Sequence, residues 1–362
     1  ADGRFTLQKV ACLGCCTLAP AVQIDDVTYG HMRPQTVRRM LDDFLANEAQ
    51  RDLRLREAPR PENAAFGEIR IGLGSCCVAG GSEKVRAALD EALAEIEAPV
   101  RVKHVSCVGM CHQTPLLEIR LPERPPHLYA KVQAEDVRGI LAQHFRPARP
   151  LARLRHRAST WLERVYSDDG RNVARIDVED PPVAAFLRAQ CRLASEYCGE
   201  IDPVDIEEYQ RLGGFEAWHA CLEMAPAAII DAIARSGLRG RGGAGFPTGR
   251  KWQVVHDAAG DRKYIVCNGD EGDAAAFMDR MTLESYPFRV IEGMLIAARA
   301  VGADEGVCYI RAEYPLAVRR VTAAIQTCEE AGILGEGPPF SLRVMQGAGA
   351  FVCGEETALI AS

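Results

Sequence analysis

The sequence predicts an α/β fold, and two features of its 362 residues carry that prediction. Strand-like apolar segments alternate with amphipathic helical segments along most of the chain. In the C-terminal half, glycine-rich or acidic loops follow the strands, which is typical of an α/β domain whose site lies at the strand ends. Hydrophobic residues make up 48% of the composition and charged residues 26%, which suits a globular protein of two or three domains with a sizeable core.

Composition also excludes some functions and indicates a compartment. The net charge of −7 argues against non-specific nucleic-acid binding. No apolar run approaches the ~20 residues of a membrane span, and no signal-peptide pattern opens the chain, so any membrane association would go through partners. Fourteen cysteines without a secretory signal predict a cytoplasmic protein with metal or redox chemistry, soluble or peripheral to a membrane complex. Both ends fall inside structural patterns, so we expect a fragment of a longer chain.

Residues 1–46 open with a strand-like FTLQKVACL and a cysteine turn, Cys12-Leu-Gly-Cys15-Cys16. A strand pair and an amphipathic helix follow. Cysteines three or four apart on a turn can share one metal centre. Two or three cysteines are not a complete four-ligand site, so further ligands are expected upstream or on another chain. Buried thiols in a turn are the alternative. Residues 47–66 are charged and proline-bearing, which predicts a linker.

Residues 67–146 repeat this arrangement. The strand GEIRIGLG precedes Cys76-Cys77 in a glycine-bounded turn, and a helix follows. VRVKHVSCVGMCH then brings Cys107 and Cys111 before two more strands and a last helix. The chain therefore carries an internal repeat of a strand, cysteine turn, strand, strand and helix.

Residues 147–194 are predicted to form a connector with some helix. Cys191 and Cys198 lie near its end, seven residues apart and without neighbouring histidines. This isolation predicts two buried thiols.

Both cysteine segments resemble the thioredoxin-like [2Fe–2S] ferredoxin domain, whose ligands form a C-x4-C pair and a later C-x3-C pair. In the first copy the resemblance implies metal ligands at Cys12 and Cys16, with the first pair preceding residue 1. Residues 1–46 would then be the C-terminal part of such a domain. A zinc-binding module is the alternative, using Cys12, Cys15, Cys107 and Cys111.

In the second copy the resemblance implies metal ligands at Cys107 and Cys111. Cys77 or Cys76 can serve as a third ligand, but Gly72 occupies the place of the fourth. A cluster held by both adjacent cysteines is chemically possible. The alternative is a degenerate ferredoxin domain kept for packing.

The most glycine-rich stretch runs from Ser236 to Trp252, SGLRGRGGAGFPTGRKW, and contains six glycines between arginines and a lysine. Glycine frees the backbone to turn and has no Cβ to hold a ligand away. Backbone amides beside cations and a helix start suit a phosphate or a flat polyanionic cofactor. A tight turn that packs two elements explains the glycines equally well. The spacing fits neither a GxGxxG fingerprint nor a GxxxxGK[ST] loop.

Two further loops follow predicted strands. The strand Lys263–Cys267 runs into an acidic loop whose acceptors can hold ribose or ribityl hydroxyls: Asn268, Asp270, Glu271 and Asp273. A calcium-type acidic loop or a solvated turn is the alternative. The strand Ser341–Gln346 ends in GAGAFVCGEETALIAS, where Gly347, Gly349 and Gly354 allow close approach. Glu355 and Glu356 begin a helix, as the helix dipole favours.

Five segments within residues 195–362 resemble, in order, the flavoprotein (51 kDa) subunit of NADH:quinone oxidoreductase. They are IDPVDIEEYQRLGGFEAW, SGLRGRGGAGFPTGRKW, CNGDEGDAAAFMDR, YIRAEYPLA and GAGAFVCGEETALI. The family includes soluble relatives, namely the diaphorase subunit of NAD-reducing hydrogenase and the β subunit of NAD-dependent formate dehydrogenase. The preceding ferredoxin-like segments resemble these soluble relatives.

This resemblance implies FMN and NAD(H) side by side in one cleft, with hydride transfer between them and single electrons passed to iron–sulfur clusters. The flavin would be contacted by Gly240, Arg241, Gly242, Gly243, Asn268, Asp270, Glu271, Gly354, Glu355 and Glu356. Lys251 would face a phosphate, Phe246 the adenine and Asp273 the nicotinamide ribose. Asp273 and Glu356 are the residues expected nearest the reacting rings. The implied partners are iron–sulfur subunits of a formate dehydrogenase, a hydrogenase or an NADH:quinone oxidoreductase.

Three departures from the family pattern bear on this expectation. Ala274 and Ala275 replace a usual Pro-Gly, and Phe351 replaces a usual Tyr. The family's C-x2-C-x2-C segment, which holds a [4Fe–4S] cluster, would lie beyond residue 362. A scaffold that has lost its cofactors and serves as an interface is therefore the alternative function.

Overall fold

The computed structural model describes residues 5–10, 12–15, 18–25, 27–54, 67–96, 100–145, 174–177, 180–260, 262–273, 275–348 and 350–362. The chain forms two compact units. We call Cys15–Glu200 the N-terminal unit, and Ala1–Gly14 together with Ile201–Ser362 the C-terminal unit. Both units combine helices with a sheet that contains parallel strand pairs, so the predicted α/β class is confirmed.

The N-terminal unit begins with an antiparallel hairpin of β1 (Val22–Ile24) and β2 (Val27–Tyr29). Helix α1 (Val37–Arg54) follows, preceded by one 3-10 turn. This helix runs eight residues into the segment predicted as a linker, and 55–66 lie outside the described residues. The predicted strand FTLQKVACL is wrong, because its described residues contain no strand.

The main sheet of this unit has the strand order β4-β3-β5-β6-β7. Strands β3 and β4 are parallel, and β5, β6 and β7 each run antiparallel to the strand before them in the sheet. β7 comes from the predicted connector, whose residues 146–173 lie outside the described ranges. The elements are β3 (Glu68–Gly72), α2 (Ser75–Ala79), α3 (Ser82–Ile96), β4 (Arg101–Val105), β5 (Leu117–Arg120), β6 (His127–Ala130), α4 (Val137–His144), β7 (Ala174–Ile176) and α5 (Pro181–Arg188).

Alternation along the strands builds the core of this sheet. Ile69 and Ile71 of β3 are fully buried, as are Leu117 and Ile119 of β5, while the residues between them are half-buried. Period-two burial is expected of a strand that packs one face on a helix layer, here through Leu89 of α3. Because β3 and β4 are parallel, the cysteine-bearing segments that follow them lie at one edge of the sheet. The prediction of a turn for Cys76 and Cys77 is wrong, because both lie in helix α2.

The C-terminal unit contains a parallel sheet in the order β10-β9-β8. Tyr264, Glu305 and Ser341 are register partners at the start of the three strands. Its elements are α6 (Ile206–Arg211), α7 (Glu216–Leu222), α8 (Pro226–Ser236), α9 (Thr248–Asp257), β8 (Tyr264–Gly269), α10 (Met278–Ser285), α11 (Pro287–Val301), β9 (Glu305–Arg311), α12 (Pro315–Glu330), β10 (Ser341–Gly347) and α13 (Glu356–Ala361). In the described part of the chain, no helix has the length and apolar character needed to span a membrane.

The central strand β9 is buried along nearly its whole length, as a near-continuous apolar run in a covered parallel sheet predicts. Helix α11 is buried on most of its surface and contacts α7, α8, α9, α12 and the sheet. Because the three strands are parallel, the carboxyl ends of β8, β9 and β10 lie together at one edge of the sheet.

A buried carboxylate ties α11 to the start of this unit. Glu292 accepts hydrogen bonds from the Tyr209 hydroxyl, from the backbone N–H of Phe215 at 3.0 Å and from that of Trp218 at 3.2 Å. Phe215 has a φ of 64°, so the turn before α7 is held in the left-handed region. Burial raises the pKa of Tyr209, and the Glu292 carboxylate raises it further.

Replacing Glu292 by glutamine should destabilise the C-terminal unit, because one acceptor oxygen becomes a donor that faces other donors. We expect the free energy of unfolding to fall by about 2–4 kcal/mol. Urea unfolding followed by tryptophan fluorescence measures this. Glu329→Gln, an exposed position on α12, is the control. Equal stabilities of the two variants would contradict the role given to Glu292.

Candidate cofactor-binding site

The loops that leave the parallel sheet meet at one edge. β8 ends at Gly269, β9 at Arg311 and β10 at Gly347, each at its carboxyl end. In open α/β sheets this edge is where ligands bind. The acidic loop and the second glycine loop both begin here, as predicted.

The first glycine loop connects α8 to α9 as a narrow hairpin. The backbone N–H of Gly240 donates to the Phe246 carbonyl at 2.8 Å, and that of Thr248 donates to the Leu238 carbonyl at 2.9 Å. Gly243, with a φ of 104°, lies at its tip. Residues 239–244 are all exposed, so the tip presents its backbone to solvent.

The glycines of this stretch serve two different purposes. A Cβ at residue 249 would lie 2.6 Å from the Cα of Ala234, so Gly249 lets α9 pack closely on α8. Cβ atoms at Gly242, Gly243 and Gly245 would meet nothing within 4 Å. Chain packing therefore explains Gly249. The positive φ values of Gly243 and Gly245 suit the turn itself, and the open space at the tip leaves its backbone accessible to a ligand.

Hydrogen bonds and an ion pair join the loops to one another. The Asn268 side-chain amide donates to the Gly354 carbonyl at 2.9 Å. The Lys251 Nζ lies 3.1 Å from the Glu356 Oε2. A Cβ at Gly354 would lie 2.9 Å from the Asp270 carbonyl oxygen, so this approach requires glycine. The structure thus brings these five predicted residues together.

Asp270 offers buried acceptors at this edge. It is 5% exposed, and neither carboxylate oxygen has a hydrogen-bond partner among the described residues. Burial raises the pKa of Asp270, while Arg311, whose Nε lies 4.0 Å from Oδ1, lowers it. A polar group delivered by a ligand would satisfy these oxygens.

Arg311 is a residue that the sequence reasoning did not single out. It is 1% exposed; its guanidinium donates to the Glu271 carbonyl and, at 2.9 Å, to the Glu313 carboxylate. It also lies over the Tyr314 ring, 5.1 Å from the centroid. The signal available was an arginine at the end of an apolar strand with an acid two residues later.

The Glu271 carboxylate accepts hydrogen bonds from other residues of the chain. It accepts from the backbone N–H groups of Asp279 at 3.0 Å and Arg280 at 3.3 Å, and from the Tyr314 hydroxyl at 3.2 Å. These bonds hold the start of α10. Burial and, to a lesser extent, Glu271 raise the pKa of Asp279 to about 6.

The remaining predicted residues are mostly exposed around this edge. Phe246 is 46% exposed with the Arg250 guanidinium 5.8 Å from its ring centroid. The Glu355 side chain caps α13 by accepting from the Ala358 N–H at 3.0 Å, and backbone hydrogen bonds lower its pKa. The exposed residues of the set are Gly240, Arg241, Gly242, Gly243, Lys251, Asn268, Asp273 and Glu356, whereas Gly349 lies outside the described residues.

The cysteines form a second group, in the N-terminal unit. Cys77 is buried at the end of β3, where a Cβ at Gly72 would lie 3.0 Å from its Sγ. The Cys76 Sγ lies 3.8 Å from the Cys15 Sγ, and Cys76 also contacts Cys111. Hydrogen bonds with Cys107 and Cys76 raise the pKa of Cys111.

Two cysteine predictions need correction or lie beyond description. Cys191 is exposed and Cys198 half-buried, so the prediction of two buried thiols is wrong. Cys12 is half-buried in the C-terminal unit, and Cys16 lies outside the described residues. Among the described residues, no group of three or more His, Cys, Asp or Glu side chains is arranged around a single ion.

Comparison with protein families agrees with this site. Residues 233–362 match the Nuo51 FMN-binding domain. We call this segment, after the family that it matches, the FMN-binding domain. It contains the glycine loop, the acidic loop and the loop after β10. Residues 1–45 match the thioredoxin-like [2Fe-2S] ferredoxin. The resemblances inferred from the motifs are thereby confirmed for these two segments.

Curated relatives match part of this chain. NADP-reducing hydrogenase subunit HndC of Solidesulfovibrio fructosivorans is 52% identical over 180 residues, 48% of this chain and 36% of the relative. An NADH-quinone oxidoreductase subunit of Rhizobium meliloti is 45% identical, over 43% of this chain and 39% of the relative. NAD-reducing hydrogenase HoxS subunit alpha of Cupriavidus necator is 44% identical, over 39% of this chain and 25% of the relative. The matched region thus spans well under half of each relative.

The FMN-binding domain carries a strained alanine beside the acidic loop. Ala275 has a φ of 70°, in the region that favours glycine. This is the position at which the family resemblance implies a glycine, whereas Ala274 lies outside the described residues. The turn has kept the glycine conformation without the glycine.

Replacing Ala275 by glycine should therefore stabilise the FMN-binding domain. Relief of a left-handed alanine gives about 1–2 kcal/mol, and the entropy of a new glycine costs about 0.5–1 kcal/mol, so a net gain near 0.5–1 kcal/mol is expected. Thermal unfolding measures it. Ala276→Gly, one residue on and without a positive φ, should instead destabilise the domain. A lower melting temperature for Ala275→Gly would refute the interpretation.

Proposed function

We propose that this chain is an NADH dehydrogenase (diaphorase) module, which transfers a hydride between NAD(H) and FMN and passes electrons to iron–sulfur clusters. One observation carries the proposal. The glycine loop, the acidic loop and the loop after β10 converge within the segment that matches the FMN-binding domain, joined by the Asn268–Gly354 and Lys251–Glu356 contacts.

The residues present fit a flavin. The Asp270 carboxylate oxygens are buried without hydrogen-bond partners among the described residues, which suits donors such as ribityl hydroxyls. The glycines at the hairpin tip leave space for a flat ring against the backbone. In this proposal Gly240, Arg241, Gly242 and Gly243 contact the flavin, Asn268 and Asp270 bind its polar groups, and Gly354, Glu355 and Glu356 form the facing wall.

FMN, when bound, supplies the chemistry by accepting two electrons with a hydride and releasing them one at a time. The chain's share is to position the rings and to tune the charge around them. Asp273 is exposed and free to bind a ribose hydroxyl of the nicotinamide nucleotide, and no side chain needs to act as a general base. Glu271 contributes indirectly, by fixing the start of α10 below the acidic loop.

The Lys251–Glu356 pair can be rearranged at little cost. The two side chains are 59% and 73% exposed, and such surface pairs contribute about 0–1 kcal/mol. An anionic nucleotide can therefore replace Glu356 as the partner of the Lys251 ammonium, which leaves the Glu356 carboxylate beside the reacting rings. Phe246, half exposed, is placed to stack on an adenine.

The wider assignments extend the proposal. Residues 1–46 and 67–146 would be ferredoxin-type domains, joined by the segment 47–66 and linked through 147–194 to a flavoprotein domain over 195–362. Electron partners would be iron–sulfur subunits of a formate dehydrogenase, a hydrogenase or an NADH:quinone oxidoreductase. We propose a cytoplasmic location, because fourteen cysteines suit a reducing compartment.

The test uses the full chain after incubation with FMN. Oxidised flavin absorbance should co-purify with the chain, and NADH should bleach it and drive ferricyanide reduction. Combining Lys251→Ala with Glu356→Ala should lower kcat/KM for NADH at least tenfold, about 1.4 kcal/mol. The control is Glu95→Ala with Arg138→Ala, which removes a similarly exposed ion pair between α3 and α4 of the N-terminal unit. This control should match the wild type.

Two results would count against the proposal. Full activity in the Lys251→Ala, Glu356→Ala variant would exclude the site described here. A folded chain that binds neither FMN nor NADH would favour the cofactor-free scaffold instead.

A further inference from the structure

A cavity of ≈ 340 Å³ lies in the N-terminal unit beside helix α2 and the loop that follows β4, the two segments that carry its cysteines. Gly72 lines it at the end of β3, the position where the ferredoxin pattern has a cysteine. Four cysteines also line it: Cys77, Cys107, Cys111 and Cys198. The last of these comes from a segment 87 residues beyond Cys111 in sequence, after α5.

Hydrogen bonds fasten this segment to the turn on both sides of Cys198. The backbone N–H of Gly199 donates to the Ser106 Oγ at 3.0 Å, and the same hydroxyl donates to the Tyr197 carbonyl at 3.4 Å. Ser106 is 1% exposed and directly precedes Cys107. One buried hydroxyl therefore holds the flanks of Cys198 beside Cys107.

Packing confirms that the approach is close. Gly199 has a φ of 76°, and a Cβ there would lie 2.4 Å from the Val108 Cγ1. The Arg70 guanidinium donates to the Gly199 carbonyl at 3.3 Å, and the Arg192 guanidinium to the Val108 carbonyl at 3.3 Å. Three hydrogen bonds thus hold residues 192–199 against residues 106–108, and a fourth joins Gly199 to β3. A connector that only crossed this surface would not require them.

We propose that Cys198 is the fourth ligand of a [2Fe–2S] cluster in this unit, together with Cys77, Cys107 and Cys111, and that it replaces the cysteine missing at Gly72. The inference rests on the proposed function, since it names the ligands of one electron-accepting cluster.

The donor set suits a two-iron cluster. Four cysteine thiolates hold a [2Fe–2S] centre, two on each iron, so the sulfurs surround a volume rather than one point. The thiols here line a cavity and, in the described residues, do not converge on a single ion. On assembly each cysteine loses its proton and forms one iron–sulfur bond, with two ferric ions and two sulfides supplied from solution, so no oxidant is needed. Cys76 contacts Cys111 and Cys15 but does not line this cavity, so Cys77 is the ligand assigned from α2.

The experiment reconstitutes the full chain anaerobically with ferric iron and sulfide, then measures iron, acid-labile sulfide and the EPR spectrum after dithionite reduction. Cys198→Ser should lose about two irons and two sulfides per chain relative to the wild type. Cys191→Ser is the matched control, because Cys191 is exposed, lies seven residues earlier and does not line the cavity. It should retain the wild-type content.

A rescue variant separates ligation from folding. Gly72→Cys combined with Cys198→Ser should regain the two irons with a shifted EPR signal, since the ligand would return to β3. Equal iron in Cys198→Ser and the wild type, or no [2Fe–2S] signal in the wild type, would overturn the inference.

FMN binding measured in the same preparations distinguishes the two proposals. If FMN binds and iron is unaffected by Cys198→Ser, only the inference fails. If iron falls in Cys198→Ser but no preparation binds FMN, the cluster assignment stands and the flavin function fails.

Discussion

The buried guanidinium of Arg311 fixes the geometry on which the rest of the site depends. A charge that is 1% exposed must have its donors satisfied, because an unpaired buried charge costs several kcal/mol. Arg311 meets this need with the Glu271 carbonyl and the Glu313 carboxylate, and it lies 4.0 Å from Asp270. The loop after β8 is thereby fastened to the end of β9. Asn268 can then reach across to Gly354, and the Asp270 carboxylate is held at the mouth of the sheet.

The two units place their chemistry by the same rule. In the C-terminal unit the loops of the site follow the carboxyl ends of parallel strands β8 to β10. In the N-terminal unit the cysteine-bearing segments, helix α2 and the loop after β4, follow the carboxyl ends of parallel strands β3 and β4. Parallel pairing brings such ends to one edge, whatever the distance between them in sequence. A glycine-rich wall suits a flat cofactor, which matches the family found for residues 233–362. The thiol-lined cavity suits an iron–sulfur cluster, and its lining lies outside residues 1–45, the segment that matches the ferredoxin family.

Periodicity and loop chemistry were sufficient to predict the parallel sheet and the loops that leave its carboxyl edge, because strands, helices and loops there follow local rules. Contacts between distant segments were not predictable. Arg311 reads as one more surface arginine until β9 is seen to be central and buried. Cys198 reads as an isolated thiol, since its neighbour Cys107 lies 91 residues earlier. The choice between Cys76 and Cys77 depends on a helix, α2, in which adjacent side chains point about 100° apart.

In the proposed site, three separate loops form one flavin-binding wall. Hydrogen–deuterium exchange of the full chain, with and without FMN, tests it most directly, because the exposed backbone amides of these loops report ligand contact one segment at a time. We expect FMN to slow exchange simultaneously in residues 239–246, 268–273 and 350–356, with little change in the N-terminal unit. FMN-dependent protection of one loop alone, or protection confined to residues outside all three, would contradict it.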